Sequence, residues 1–461
     1  LKIALIKGPA TYADWYRRPV LGLAYLCSSL EAQGIECRIF DAYFHAWSES
    51  DLIRRVREYR PDVLGFTAMT HEIKKTARIS ELLKTDLGVP AVVGGCHITA
   101  LPEQTLIEFP SFDYGIRGEA ERSFVDLVKC IAGEGNSGLE SIDGLVYRDG
   151  RGIKVNRESC FLSPEEIDRL PMPSFRDYYD DNPKALAGSN CVYPLITSRG
   201  CPYNCAFCMR VLGRKVRRRS PEAVCDEVET ALSHWGAHTF DFYDDIMLHD
   251  DAVTRRLLNL MIEKNFPARM RWCGTTRADL VKPDLVRLAK KAGCFRLGIG
   301  VESGDDGILK AIGKATTVDQ VRRAVRIMKD AGIDVDAYFI LGHPNETEAT
   351  IKKTVDLAVE LNPHTIAVGL MVPYPGTRIH EMAKQGQGGY RLLSQDWDQY
   401  DKYGGRTLEV SAIPYETLAR WQRKAYLSLY LKNFRLLDLA RYAWTRRRAL
   451  RLMFGARTKR A

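Results

Sequence analysis

The chain has 461 residues, 45% hydrophobic and 27% charged, a length that exceeds one ordinary core and predicts two large domains with a small third region, while the balanced composition excludes disordered and fibrous classes. No apolar run approaches the roughly 18 to 20 residues that span a bilayer, and the opening LKIALIKGPA is too short and too early in charge for a secretory signal, so the expected location is cytoplasmic. The net charge of +9 sits mostly in residues 441–461, which carry eight basic and no acidic residues; with no reading motif beside it, this run does not indicate nucleic acid as a partner.

Residues 1–135 alternate Val/Ile-rich runs with amphipathic stretches: KIALIK, LGLAYLCSSLEAQG, ECRIFDA, DLIRRVREYR, DVLGFTA, ARISELLKTDLG and PAVVGG. This pattern predicts a doubly wound parallel sheet, whose ligand loops follow the carboxyl ends of the strands. Those loops carry Gly8 and Pro9, then Thr67, Met69 and Thr70, then Gly94, Gly95, His97 and Thr99, then Gly118 and Glu119. The small pair Gly94 and Gly95 would let a large flat ligand approach the backbone, with His97 and Thr99 as donors to its edge; a tight capped turn explains the same residues. Neither the dinucleotide fingerprint nor the P-loop is present, and GIGVESG at Gly298 imitates the first with the wrong spacing.

Taken in order, PVLGLAYLCSSLEAQG, GFTAMT, GGCHITALPE and YGIRGEAERSF resemble the cobalamin-binding domain that precedes the barrel in cobalamin-dependent radical SAM enzymes. The resemblance implies a Rossmann-like domain holding a corrinoid. The DxHxxG signature that would give cobalt a histidine is missing, so the lower ligand stays open; His71 and His97 read as hydrogen-bonding loop residues rather than cobalt ligands.

Residues 136–190 are rich in turns, with a hairpin expected through Asp149 and Gly150 and a linker over LPMPSF. From 191 to 384 the alternation resumes. Candidate strands are YPLITS, TFDFYDD, RWCGTTR, FRLGIGVES, VDAYFILG and TIAVGLMV, with helices between them such as the one opened by Ser220 and Pro221. Six such units predict a partial (β/α)6 TIM-like barrel with its chemistry at the strand carboxyl ends.

The stretch RGCPYNCAFCMR places Cys201, Cys205 and Cys208 just after the first of these strands. Twelve cysteines in a reducing compartment do not suggest a disulfide framework, and Cys27, Cys37, Cys130, Cys225 and Cys294 read as small buried side chains. A structural zinc site needs four ligands, and no partner pair follows at the right spacing. Three thiolates can hold a [4Fe-4S] cluster by three irons, leaving the fourth for the amine and carboxylate of S-adenosylmethionine (SAM).

CxxxCxxC is the radical SAM signature, and Phe207 stands where the family has its aromatic residue. On the same resemblance, Asp244 and Asp245 sit where the amino end of SAM is met, Glu302 and Ser303 end the fourth strand toward the pocket, Gly342 lies in the segment flanking adenine, and Pro373 and Tyr374 lie in the loop that closes over it. The resemblance implies reductive cleavage of SAM to a 5'-deoxyadenosyl radical, an electron donor of flavodoxin or ferredoxin type, and C-methylation of a small molecule as the leading outcome. Oxidative cyclisation or ring rearrangement is the alternative within the family, and a non-catalytic corrinoid or cluster carrier the alternative outside it. Methylthiotransferases need a second cluster, for which Cys27, Cys37 and Cys96 are not suitably placed.

Residues 385–461 are expected to be a small helical region. Trp397 and Tyr400, with Asp396 and Tyr403, are candidates for the substrate pocket. The run from Arg435 mixes Leu, Trp, Met and Phe with arginines, as in a basic amphipathic helix that would touch an anionic membrane surface; a solvated helix covering the barrel, followed by a frayed tail, is the plainer reading.

Overall fold

The computed structural model describes residues 1–9, 18–134, 138–180, 192–411 and 413–441. Of the first expected ligand loop it therefore describes only Gly8 and Pro9, and the basic run beyond residue 441 lies outside the described residues.

Seven strands form the first sheet, in the order β2-β1-β3-β4-β5-β6-β7. The parallel strands are β1 (Lys2–Lys7), β2 (Glu36–Asp41), β3 (Val63–Thr67), β4 (Ala91–Gly94) and β5 (Tyr114–Ile116). With helices on both faces, the two-residue strand period explains why the four residues between the terminal lysines of β1 are all apolar. Ile3 and Leu5 face the layer that contains helices Leu21–Glu31 and Glu121–Ile131, while Ala4 and Ile6 face helices Glu49–Tyr59 and Ile73–Leu87. The expected hairpin forms as β6 (Leu145–Arg148) and β7 (Ile153–Val155), and it adds antiparallel to β5, extending this first sheet.

The second sheet holds six parallel strands in chain order: β8 (Tyr193–Leu195), β11 (Thr239–Phe242), β12 (Arg271–Thr276), β13 (Cys294–Glu302), β14 (Asp334–Leu341) and β15 (Thr365–Leu370). It is the partial barrel, and each strand coincides within a few residues with a run read from the sequence. Between its first two strands a short ladder pairs β9 (Ser198–Arg199) with β10 (Arg217–Arg218), Arg199 opposite Arg217. Ser220 caps the following helix by accepting from the Ala223 amide at 3.3 Å, with Pro221 at the first helical position.

In the described part of the C-terminal region, the antiparallel pair β16 (Tyr390–Leu392) and β17 (Leu408–Val410) precedes helix Tyr415–Lys432. This helix closes the barrel edge: the Val368 amide donates to Tyr426 Oη at 3.0 Å, and Gln422 donates to the Val368 carbonyl at 2.8 Å. Among the described residues no helix is long and apolar enough to cross a membrane.

Trp272 on β12 is wholly buried, its indole N–H donating to the Ala292 carbonyl at 2.9 Å and its ring set edge-on to Phe242. Trp272→Ala is expected to lower the unfolding free energy by about 3–5 kcal/mol in denaturant titration. Leu436→Ala, at a site 61% exposed, should change it by less than about 0.5 kcal/mol.

Candidate functional site

The loop between Arg199 and Arg217 is closed at its neck by the β9–β10 ladder and folded by its own backbone: the Cys201 amide donates to the Gly213 carbonyl, and the Cys208 amide to the Cys205 carbonyl. Gly200 has φ +96, and a Cβ there would collide with the Lys215 carbonyl, so the turn into Cys201 requires glycine. Two outside bonds fix the far end, from the Ala206 amide to the Ile312 carbonyl at 2.8 Å and from the Ile379 amide to the Ala206 carbonyl at 3.0 Å.

Cys201, Cys205 and Cys208 line one cavity of about 210 Å³ at the barrel mouth, together with Phe207, Asp245, Thr275, Arg277, Glu302, Lys314 and Tyr338. Burial, then the nearby Asp245 and the other two cysteines, pushes the Cys208 thiol up to about 11, and burial likewise raises Cys201. Deprotonation therefore has to be coupled to metal binding. Among the described residues no three His, Cys, Asp or Glu side chains are grouped closely enough to hold a single metal ion. Three thiols facing one cavity are a donor set for three irons of a [4Fe-4S] cluster, one ligand short of a structural zinc site.

The cavity also holds cations. Arg277 is buried with its guanidinium 3.4 Å from the centre of the Tyr203 ring and 4.0 Å from Cys205 Sγ, and it donates to the Lys314 carbonyl at 2.6 Å. Lys314 Nζ pairs with Glu302 at 2.7 Å. Asp245 contributes the free carboxylate, its pKa raised by burial and then by Asp244. Cations and a carboxylate set apart in one pocket are the complement of an amino-acid head group.

The adjacent acid does something else. Asp244 is buried and accepts from the Thr197 amide (3.0 Å), Thr197 Oγ1 (2.6 Å) and Ser198 Oγ (2.5 Å), which fixes the chain just before the cysteine loop. Ser303 is likewise buried outside the cavity, with its hydroxyl against Thr354 at 3.3 Å. Gly342 holds the next strand's turn, donating to Glu346 and accepting from Tyr390, whose hydroxyl lies 3.1 Å away. Pro373 and Tyr374 do not line the cavity; their loop runs to Gly376, which lies between Ala100 of the first sheet's domain and Met209 of the cysteine loop.

Arg277, Lys314 and the glycines of β13 are the residues the sequence reading missed. Gly298 and Gly300 alternate toward the cavity; a Cβ on the first would lie 2.5 Å from Tyr338 Oη, and one on the second would strike Glu302 and Lys314. Their alternation within a predicted strand was the available signal, hidden by its likeness to a dinucleotide motif.

A second cavity, of about 320 Å³, lies at the carboxyl ends of β3, β4 and β5, between the first sheet and the barrel. Thr67, Gly94, Gly95, Gly118 and Glu119 line it as expected, joined by Leu21, Gly22, Tyr25, Phe66 and Phe124 and by Ile196, Arg199, Leu212 and Tyr243 from the barrel side. A Cβ on Gly22 or Gly118 would meet nothing within 4 Å, and one on Gly94 only the Phe66 carbonyl at 3.8 Å. A mostly apolar cavity with bare backbone in its wall fits the face of a large macrocycle.

Several residues expected there are engaged elsewhere. Gly8 packs toward Ile79, the Pro9 carbonyl accepts from Lys75, Met69 is half exposed, and Thr70 is buried in its own turn. Thr99 donates to the Gly95 carbonyl at 2.8 Å and accepts from the Gly118 amide at 3.1 Å, bracing the loops from behind. His97 is fully buried against Phe109 and Trp397, neither ring nitrogen has a hydrogen-bond partner among the described residues, and burial lowers its pKa to about 4. His71 is also buried outside the cavity.

The substrate-pocket expectation for Trp397 and Tyr400 does not match their packing. Both are buried in the outer helical layer of the first sheet, with the Trp397 indole donating to Glu108 at 2.7 Å and its ring edge-on to Tyr400. Large amphipathic rings in a short turn-rich segment seal an interface as readily as they line a pocket.

Glu119 lines the cavity, but its carboxylate belongs to an ion cluster. Arg217 reaches it with two parallel bonds of 2.8 and 2.7 Å, the Leu162 amide donates at 3.0 Å, and Arg199 stands 3.3 Å away while also pairing with Glu121 at 2.7 Å. Burial acts to raise the Glu119 pKa, but Arg217 and Arg199 outweigh it and hold the carboxyl below its ordinary range.

A parallel α/β sheet domain set against a partial barrel with a three-cysteine loop at its mouth defines, in outline, a cofactor-binding α/β protein with one thiol-lined and one apolar cavity. Residues 16–128 match the family model of the B12 binding domain, and residues 195–358 that of the radical SAM superfamily. An uncharacterized methyltransferase of Pyrococcus horikoshii is 30% identical over 418 residues, covering 90% of this chain and 88% of the relative. The anaerobic magnesium-protoporphyrin IX monomethyl ester cyclase of Cereibacter sphaeroides is 29% identical over 382 residues, 79% of this chain and 60% of that one. Among solved structures, the radical SAM methyltransferase TsrM of Kitasatospora setae, with cobalamin and a [4Fe-4S] cluster bound, shares the fold at a TM-score of 0.73 and 18% identity, covering 93% of this chain and 90% of that chain.

The chain belongs to the cobalamin-dependent radical SAM enzymes. Its cofactors are accordingly a [4Fe-4S] cluster, SAM and a cobalamin.

Asp244 and Asp245 separate by experiment. Asp244→Ala removes both oxygens that accept three buried bonds and should cost about 1–3 kcal/mol and lower the iron retained per chain after reconstitution. Asp245→Asn should leave both within error and weaken SAM binding, read by equilibrium dialysis.

Proposed function

We propose that the protein is a C-methyltransferase that modifies an unactivated carbon of a small molecule. The observation that carries this reading is one loop serving two cavities: Arg199 and Leu212, at and within the loop between Arg199 and Arg217, line the apolar cavity, while Cys201, Cys205 and Cys208 of the same loop line the other. On this reading Cys201, Cys205 and Cys208 hold the cluster, with Asp245, Arg277 and Lys314 around the head group of SAM and Phe207 beside it. The bare backbone of Gly94 and Gly118 would face the corrinoid, with Gly95 making the tight turn against Ala68 that brings Gly94 to the cavity. When bound, the cluster with SAM supplies a hydrogen-abstracting radical and the corrinoid supplies a transferable methyl group.

The residues of this chain position and shield. Buried Arg277 places positive charge beside the thiolates and beside the carboxylate end of SAM. The Glu302–Lys314 pair fixes the far wall, and its buried neighbour His343, held neutral with a pKa of about 4 by burial, packs its ring near Phe207. A flavodoxin- or ferredoxin-type donor supplies the electron from outside.

The methyltransferase relative supports methylation, and the curated bacteriochlorophyllide d C-12(1)-methyltransferase of Chlorobaculum tepidum, 27% identical over 348 residues, acts on a small-molecule pigment. The cyclase relative favours a second reading, in which the same two cofactors oxidise or close a ring without net methylation.

Reconstituted protein given SAM and a low-potential reductant should form 5'-deoxyadenosine, detected by liquid chromatography, and Cys208→Ala should reduce it to background. With methyl-deuterated SAM and a pool of candidate metabolites, methylation requires a product heavier by the labelled methyl group. Loss of hydrogens without the label would establish the second reading instead.

A further inference from the structure

The cysteine loop and the apolar cavity are not merely adjacent. The loop's neck consists of Arg199 opposite Arg217, and both arginines close on one carboxylate, Glu119, which lies 98 residues before Arg217 in the chain, on the segment that follows β5. Cys201 stands two residues beyond Arg199 and Gly213 four before Arg217, and these two are bonded to each other. Gly118, Glu119, Ala120 and Glu121 line the apolar cavity from one side, Arg199 and Leu212 from the other.

The clamp has little slack. The side chains of Glu119, Arg199 and Arg217 are each no more than 5% exposed, both Glu119 oxygens are bonded, and Arg217 also donates to the Leu162 carbonyl at 2.8 Å and the Leu212 carbonyl at 2.7 Å. Arg199 packs over the Tyr25 ring at 5.3 Å, on the helix that forms the cavity's remaining wall. A shift of the neck therefore moves cavity wall, and a ligand in the cavity resists that shift.

We propose that Glu119 is a positioning residue whose clamp on Arg199 and Arg217 links the two cofactor sites, so that an occupied cysteine loop strengthens corrinoid binding and a bound corrinoid strengthens cluster retention. The inference rests on the assignment of the two cavities made above. Linkage requires the effect to be reciprocal, and couplings of this kind typically change affinity by about 5- to 150-fold.

Hydroxocobalamin titrations followed by visible absorbance test it on the full chain, with the cluster loaded or removed anaerobically by chelation. Loaded wild type should bind corrinoid at least about fivefold more tightly than the cluster-free form. In Glu119→Gln that ratio should fall to near one, and in Arg217→Lys, which keeps the charge but loses the two-pronged fork, it should fall part of the way; the second variant decides should the first fail to fold. A wild-type ratio of one, or an unchanged ratio in a folded variant that is only less thermostable, overturns the linkage while leaving the cavity assignment intact. Failure of loaded wild type to bind any corrinoid overturns both.

Discussion

Glu119, Glu121, Arg199 and Arg217 are buried together where the first sheet meets the barrel, and the positions of both cavities follow from that contact. Four charges taken from water incur a large desolvation penalty, offset only where the geometry is good and the remaining lone pairs and protons are bonded. Here the two-pronged Arg217–Glu119 contact, the Leu162 amide and the carbonyls of Leu162 and Leu212 meet that condition. Arginine rather than lysine suits both neck positions because its planar fork can hold two partners at once: Glu119 with the Leu162 and Leu212 carbonyls for Arg217, and the Glu119 and Glu121 carboxylates for Arg199.

The barrel contributes a different constraint. Its strands present alternate residues to the interior, so Gly298, Gly300 and Tyr338 share the cysteine cavity while Leu297, Ile299 and Phe339 enter the core on the other side. The glycines make room for the Tyr338 hydroxyl and the Glu302–Lys314 pair, and Glu302 itself takes φ +65 at the strand end. Such a backbone conformation in a non-glycine residue has a cost, offset here by burial and the ion pair. The result is a polar pocket at the barrel mouth, and the same inward parity places Arg296 and Asp336 deeper in the barrel, beside Asp241 and Cys273.

Much of this was legible in the sequence because it depends on local pattern. The apolar runs separated by amphipathic helices identified most strands of the two parallel sheets, though not the short ladders β9–β10 and β16–β17, and the spacing of Cys201, Cys205 and Cys208 marked the loop that faces the cavity. What was not legible depends on partners far along the chain. Two adjacent acids, Asp244 and Asp245, look alike in sequence, but only the second faces the cavity, because the first meets Thr197 and Ser198 on the neighbouring strand. Glu119 reads as a ligand-loop residue until Arg217 is found beside it, and Trp397 and Tyr400 read as pocket aromatics until they are seen sealing the first domain's helical layer. The clamp, which no spacing encodes, is the feature that brings the two ligand loops against each other.

The central claim is that one buried ion cluster holds the neck of the single loop that contributes to both cofactor sites. The most direct measurement is electron paramagnetic resonance of the chain carrying a reduced cluster and cobalt(II) corrinoid together. The account predicts that each signal is broadened or split by the other relative to samples with one paramagnet alone. Two signals that simply add, with unaltered line shapes and relaxation, would contradict it.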